Sequence, residues 1–577
     1  MKMKSLKEIY ETMASSVKLI LDAFRIYWRS IFVLIYPLAL LPIFILDNTS
    51  EKRCLFVVLL MGGFWVTECL PLPVTALIPM VLFPLMGILN SDETSLCYLK
   101  ETNMMFIGGL IIAIAVEHCN LHRRVALAVI LLVGCSPRRL NFGLVAVTMF
   151  VSMWISNTAA IAMMCPIMEA TLRELEAQGI GDMYVNSRNK EDDQGETGET
   201  PPAKDQDKLV PSKVTTCYFL GAAYASTIGG LGTIVGSGTN LTFKGIYENF
   251  FRASEGLIFT QWIFLNVPIM LVTMFLTWLW LQFMFMGLFR PNSKEAKSIR
   301  IGQQGEIVAQ KLIRQKMTEM GPMTFHEISV AVLFGVSVLL WFFRQPQFIP
   351  GWPTLITQHK VKDATAALIV VMLLFILPAK PEFLYIFRKN ETERPKTPSP
   401  PLVTWKVVQQ KLPWGLIFLL GGAFALAEGS EKSGMSVLIA NQLDSLLVLP
   451  AFWIMVISSL VASILTEFSS NVAVANVILQ VLAELSRNAK IHPLYLMMPA
   501  GLCCSHAFCL PVGTPPNAIA AAACNIPSKE MIKAGLGVSL IALAVLFLIF
   551  PFLGPVVYDD LNTFPKWAYR NATIGSS

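Results

Sequence analysis

Charge is scarce in this chain of 577 residues: Asp, Glu, Lys and Arg together make up 15%, against about 25% in a typical soluble domain. A surface so poor in charge cannot mostly face water. Histidine is scarcer still, at six residues, and neither HExxH nor GxSxG occurs, which removes the commonest metalloprotease and hydrolase motifs. An intramembrane enzyme would need a nucleophile–base pair or a His/Asp metal set at membrane depth; only His506 falls deep in an apolar segment, with His118 at the end of another. The sequence therefore argues against an enzyme. No CxxC pair stands among the eleven cysteines, and most of them lie inside apolar runs, so they read as small core residues rather than zinc ligands or disulfides. Residues 1–30 lack the unbroken apolar stretch of a signal peptide, being interrupted by Lys2, Lys4, Lys7, Lys18, Arg25 and Arg29. The net charge of +6 resides in loops and gives no nucleic-acid footprint.

What is abundant is apolar length. Hydrophobic residues make up 54% of the chain, in many runs near the roughly 20 residues that cross a bilayer. The reading is an all-α polytopic membrane protein with eleven crossings, near 31–47, 54–70, 73–90, 104–119, 214–248, 260–288, 326–343, 363–379, 413–429, 493–523 and 532–558. Two further segments, near 141–175 and 450–488, read as re-entrant hairpins. Basic residues concentrate in 289–325 and 380–412 and at Arg123, Arg124, Arg138 and Arg139, which places the N-terminus in the cytoplasm and the C-terminus outside. The tail 559–577 then carries an extracellular glycosylation sequon at Asn571. The segment 1–30 is a cytoplasmic extension, 179–213 a disordered cytoplasmic loop, 289–325 a basic loop and 380–412 a cytoplasmic linker.

The chain also repeats itself. A shift of 314 residues brings Gly108 onto Gly422, Glu117 onto Glu431, and Ser156-Asn157 onto Ser470-Asn471. A shift of 277 brings GGLGTIVGSGTNL (229–241) onto AFCLPVGTPPNAI (507–519), with Asn240 on Asn517. In the proposed topology the first unit opens with an outside-to-inside crossing and the second, 413–558, with the reverse, so the repeat is inverted. Inverted repeats with broken helices are characteristic of secondary transporters, whose sites lie at the repeat interface.

Chemistry concentrates at the repeated motifs. Ser156-Asn157-Thr158 and Ser470-Asn471-Val472 interrupt apolar hairpins. A helix that begins inside the membrane presents unpaired N–H groups and the positive end of its dipole, which is an anion site; an Asn that merely caps the helix start would look the same in sequence. In 229–240 and 510–517, clustered Gly and Pro break two crossings. Unwound backbone at this depth is tolerated where it lines a cavity, and its carbonyls can hold a hard cation.

With SMWISNTAAIAMMCPI, GGLGTIVGSGTNL, TEFSSNVAVAN and LPVGTPPNAI in view, the chain closely resembles the sodium–dicarboxylate/citrate/sulfate symporter family, and most of all its insect carboxylate-transporter branch, from about residue 30 to 568. The resemblance implies an elevator-type transporter working as a homodimer in the plasma membrane. Scaffold helices would fall within 31–178 and 326–379, and the broken helix with its neighbour within 214–288. It implies that Asn157, Thr158 and Asn471 contact substrate carboxylates, with Ser156, Ser470, Val472, Gly236, Ser237, Thr514 and Pro515 around them. It further implies one Na⁺ site near Ser152, Ser156, Asn157 and Gly236, and a mirror site near Thr466, Asn471 and Gly513. No other cofactor is implied. Succinate, citrate and related intermediates are the expected cargo, with sulfate the alternative. Thr239 and Lys244 depart from the sodium-coupled pattern. The Lys244 ammonium either substitutes for a cation, giving sodium-independent exchange, or reaches to the outer face.

Overall fold

The computed structural model describes residues 26–133, 136–177, 184–186, 209–290, 293, 302–345, 349–382, 385, 394–395, 397–435, 449–511, 513–558 and 560–569. The helices are α1 (Ile26–Ile45), α2 (Ser50–Thr67), α3 (Leu72–Leu85), α4 (Ser91–Cys97), α5 (Glu101–His118), α6 (Leu121–Val133), α7 (Pro137–Ser152) and α8 (Asn157–Ala177). After a short strand pair follow α9 (Lys213–Gly229), α10 (Gly238–Phe250), α11 (Phe259–Phe285), α12 (Gly302–Glu319), α13 (Phe325–Phe342), α14 (Asp363–Ile376) and α15 (Trp405–Lys411). The last six are α16 (Trp414–Ser433), α17 (Ala451–Thr466), α18 (Asn471–Ala489), α19 (Pro493–Cys503), α20 (Pro515–Cys524) and α21 (Ser528–Val557). The all-α reading holds.

Among the described residues, five helices are long and apolar enough to cross a membrane, or six if the bent pair α15–α16 counts as one span. Eleven crossings were expected from the apolar runs. Two of the missing spans are interrupted runs, with 214–248 split into α9 and α10 and 493–523 into α19 and α20; α3 and α14 are apolar but shorter, and α2 opens with Glu51, Lys52 and Arg53.

Two compact units are present. The first combines residues up to Leu99 with Gly415–Leu443. Its core forms where α16 glycines meet bulky neighbours: a Cβ on Gly422 would lie 2.6 Å from the Ala76 carbonyl oxygen, so that face of α16 needs a bare backbone. The Tyr98 hydroxyl donates to the same carbonyl at 2.5 Å, and Lys432 pairs with Glu93 at 2.5 Å.

The second unit, Lys100–Trp414 with Asp444–Ser577, contains every candidate site residue that is described. At its centre α9 packs against α7, α8, α11 and α20, and all its residues from Thr215 to Gly229 are buried. The expected hairpins are helix–turn–helix pairs, α7–α8 and α17–α18. A second packing group within this unit consists of α5, α13 and α14, with Gly108 letting α5 approach Ala367 of α14 closely.

Three loops expected from charge and polarity contain structure. In 179–213, Tyr184–Asn186 pairs antiparallel with Leu209–Pro211. In 289–325, Gly302–Glu319 is helical, with Ile313 buried in the core and Met317 packed against it. At the end of 380–412, Leu402 donates its N–H to Leu377, and Leu402 and Val403 are fully buried. The inverted units are also divided unequally: α5, which opens the first, lies in one compact unit, and α16 beyond Trp414, which opens the second, lies in the other.

One buried ion pair ties the α6 arm to α13. Arg124 meets Glu327 at 3.1 Å and donates to the carbonyls of Gly321, Met320 and Pro322. Truncating one partner strands the other in low dielectric. Arg124→Met is expected to cost about 3–5 kcal/mol, read as a lower unfolding temperature in detergent, whereas Arg124→Met with Glu327→Met recovers much of the loss.

Candidate functional site: paired tips and unwound segments

The first hairpin reverses over Met153–Ser156, between α7 and α8. Ser152, the last residue of α7, is fully buried, and its hydroxyl lies 2.9 Å from Asn157 Oδ1 and 2.5 Å from the Ser226 carbonyl oxygen. One hydroxyl proton cannot satisfy both acceptors at once. The pocket is therefore rich in oxygen acceptors and poor in donors, which suits a small cation. Gly230 lies against Asn157 with no room for a Cβ. The Ser156 hydroxyl accepts from the Ala159 N–H at 3.3 Å.

The second hairpin repeats this arrangement. The Thr466 hydroxyl lies 2.7 Å from Asn471 Oδ1 and 2.6 Å from the Cys504 carbonyl oxygen. Ser152 and Thr466 differ by 314 positions, as Asn157 and Asn471 do, whereas Ser226 and Cys504 differ by 278. Among the described residues Ser470 makes no side-chain cap to α18, so the first-turn N–H groups of that helix have no side-chain acceptor there.

The two unwound segments match as closely. Asn240 Nδ2 donates to the carbonyls of Gly230 and Thr233, both at 2.8 Å. Asn517 Nδ2 donates to those of Ala507 and Leu510, both at 3.1 Å. All three residue pairs stand at the 277-residue shift. The Thr233 and Leu510 carbonyls also accept the N–H groups of Gly236 and Gly513, both at 3.3 Å, so each asparagine supplies the needed donor to Gly230 or Ala507 and a second donor to the other carbonyl where the helix opens. Gly236 and Gly513 also correspond: a Cβ on Gly236 would meet the Met153 carbonyl oxygen at 2.8 Å, and one on Gly513 that of Glu467 at 3.1 Å. Each break thus lies against its own hairpin tip.

The halves differ at one point. Glu467 stands where the first unit has Met153, and its buried carboxylate accepts the N–H groups of Phe508, Cys509 and Leu510 at 2.9–3.2 Å. In the first unit the Thr233 hydroxyl instead donates to the Met153 carbonyl. The second break is therefore held by a carboxylate, the first by a hydroxyl.

Of the remaining candidates, Ser156 and Thr158 are exposed, and Asn157, Asn471, Ser470 and Val472 half-buried. Ser237 caps α10 by accepting from the Thr239 N–H. Pro515 opens α20, and the buried Thr514 hydroxyl beside it has no hydrogen-bond partner among the described residues. Lys244 is apart from this group. Its ammonium is 3% exposed, 2.7 Å from Glu248 and 3.1 Å from Asp363, so it neither reaches the outer face nor faces the unwound carbonyls. Asn571 lies outside the described residues. Sequence reasoning missed the bracing roles of Asn240 and Asn517, although their shared offset was visible, and the carbonyls of Ser226 and Cys504, which no side-chain pattern announces.

The first segment meets the second where Tyr224 sets its ring edge-on to Phe508 at 5.6 Å, and where Leu231 and His506 line one small cavity. Two acceptor pockets beside two helix starts can bind cations and an anion together. The sequence model described as the sodium:sulfate symporter transmembrane region matches residues 25–558. The chain is 50% identical to Protein I'm not dead yet of Drosophila melanogaster, over 96% of this chain and 93% of that one. It is 38% identical to the human Na(+)/dicarboxylate cotransporter 3, over 94% of each chain. It is 39% identical to the Na(+)/citrate cotransporter of Rattus norvegicus, over 94% of this chain and 97% of that one.

The braces predict matched losses. Asn240→Ala and Asn517→Ala each strip the side-chain donor from one carbonyl, Gly230 or Ala507, at about 1–3 kcal/mol, while Thr233 and Leu510 keep the N–H groups of Gly236 and Gly513. Both should lower uptake by an order of magnitude or more while surface expression persists, measured by uptake normalised to surface biotinylation.

Proposed function

Because the chain belongs to the sodium:sulfate symporter family, we propose that it is a secondary active transporter that moves di- and tricarboxylates such as succinate and citrate across the plasma membrane. The observation that carries this reading is the pair of congruent tips, each with an asparagine at the start of a helix and a hydroxyl–carbonyl pocket behind it. A substrate with separated carboxylates can place one on each helix start, taking N–H donors and the favourable dipole end. Asn157 and Asn471 supply amide donors, with Ser156, Thr158, Ser470 and Val472 around the anion and Gly236, Ser237, Thr514 and Pro515 lining the breaks.

Sodium as a co-transported ion fits the two acceptor pockets. Ser152, Ser156, Asn157 and Gly236 would hold one ion, and Thr466, Asn471 and Gly513 the other, with carbonyl and hydroxyl oxygens suited to a hard cation. The names of the relatives, which specify Na(+) with dicarboxylate and with citrate, support both cargoes. Cation-coupled uptake is favoured over sodium-independent exchange, because Lys244 already has two carboxylate partners and has no charge to spare for a vacant cation site. The transporter works as a homodimer by an elevator motion, with a cytoplasmic N-terminus and an extracellular C-terminus bearing glycan at Asn571. The hairpins, breaks and α11 would move against α5, α13 and α14.

Radiolabelled citrate uptake in sodium and in choline medium tests this directly. Uptake should require sodium, and unlabelled succinate should compete while sulfate does not. Asn157→Ala and Asn471→Ala should each raise the substrate KM about 10-fold or more, the cost of one hydrogen bond to a charged group. Ser152→Ala and Thr466→Ala should mainly raise the sodium concentration for half-maximal uptake. Sulfate displacing citrate better than succinate does would reassign the cargo to divalent oxyanions.

A further inference from the structure

The second compact unit is itself built from two packing groups. Helices α5, α13 and α14 pack on one another, while α7 to α11 and α17 to α21 form the group that contains both tips and both breaks. Between them lies a thin seam, made by α10 on α5, α11 on α13, and the turn Ile234–Gly236 on α5. The seam is smooth at its centre, where Gly109 of α5 faces Val235 of the first break.

At the end of α10 remote from that break, charged groups gather around the seam. From α10 come Lys244 and Glu248. From the other group come Glu101 at the start of α5, Arg344 after α13, and Lys362 with Asp363 at the start of α14. Arg344 pairs with Asp363, Lys362 lies 3.9 Å from Glu101, and the Ala364 N–H donates to Glu101 at 3.0 Å, all within the α5–α13–α14 group. Two pairs cross the seam: Lys244 to Asp363 at 3.1 Å and Lys362 to Glu248 at 3.9 Å. The first is buried, at 3% and 1% side-chain exposure, and Lys244 also donates to the Leu257 carbonyl at 2.8 Å. Lys100, directly before α5, also crosses the seam by donating to Asn249 of α10.

We propose that the Lys244–Asp363 pair is a latch across this seam, and that the two residues are positioning residues which hold α10, and through it the first break and its substrate contacts, in one transport state. The inference rests on the transport reading, in which the tip-bearing group moves past α5, α13 and α14. A buried pair is stable only while its geometry is good; separating it exposes two charges to a poor environment unless each keeps another partner. Here each does. On parting, Lys244 retains Glu248 and Asp363 retains Arg344. The pair is thus strong enough to favour the observed arrangement and can open without stranding a bare charge. A mere stability role would not call for that arrangement of spare partners on both sides of the seam. Neither residue touches the tips, so the latch acts on the balance between states rather than on the cargo.

The seam supplies its own reporter. A Cβ at Gly109 would lie 3.8 Å from Val235 Cβ, the spacing of a disulfide, so Gly109→Cys with Val235→Cys should cross-link under mild oxidation in membranes. In that background Lys244→Met and Asp363→Asn should each slow cross-link formation by about 5-fold, and the two together should slow it no further than the stronger single change. Lys244→Arg, which keeps the charge, should leave the rate near that of the parent. Asp363→Asn alters no shape and leaves Lys244 its Glu248 partner, so it keeps the measurement available where Lys244→Met does not accumulate. Unchanged rates, or effects that multiply in the double variant, overturn the latch. Uptake by the oxidised pair separates this from the parent reading. If cross-linking arrests transport and reductant restores it, the seam moves and only the latch is in question. If the cross-linked protein transports at full rate, the seam is static and the transport motion itself is wrong.

Discussion

The constraint on which the rest depends is that backbone opened inside an apolar environment must find partners for its polar groups. Two apolar segments of this chain lose their helix, at 230–237 and, among the described residues, at 504–511 and 513–514. Each remains open because one asparagine, Asn240 or Asn517, ties back two of the freed carbonyls. The carbonyls of Ser226, in the last turn of α9, and of Cys504, at the end of α19, accept the hydroxyls of Ser152 and Thr466. The candidate cation pockets are thus a by-product of how the breaks are stabilised, and the helix starts at Asn157 and Asn471 stand beside them. In the proposed transporter, cation and anion binding would be coupled through a shared asparagine side chain.

Near-symmetry makes the departures informative. Glu467 gathers three N–H groups of the second break where Met153 and Thr233 manage with one hydroxyl contact in the first. A carboxylate with three donors is the stronger brace. That places the more rigid break in the second half and the more adaptable one in the first, on the helix that continues into α10 and the charged seam.

The sequence made much of this legible, for physical reasons that can be named. Apolar runs and Gly/Pro clusters must appear wherever a membrane helix is long or broken, so both tips and both breaks could be located from residues alone, and the offsets 314 and 277 reappear as congruent hydrogen bonds. Backbone acceptors have no residue signature, so Ser226 and Cys504 were invisible. The ion pair of Lys244 was not legible because its partner Asp363 lies 119 positions away, and a charge in an apolar helix gives no hint of which distant carboxylate will meet it. The helix at 302–319 was hidden by its charges, which are spread round the element and mask the two positions, Ile313 and Met317, that meet the core.

An experimental structure of the protein in lipid nanodiscs with succinate and sodium tests the central claim most directly. The account places the two substrate carboxylates at the starts of α8 and α18, within hydrogen-bonding distance of the Asn157 and Asn471 amides, with cations against the Ser226 and Cys504 carbonyls. Succinate bound away from both helix starts, or held by one tip while the other faces lipid, would contradict it.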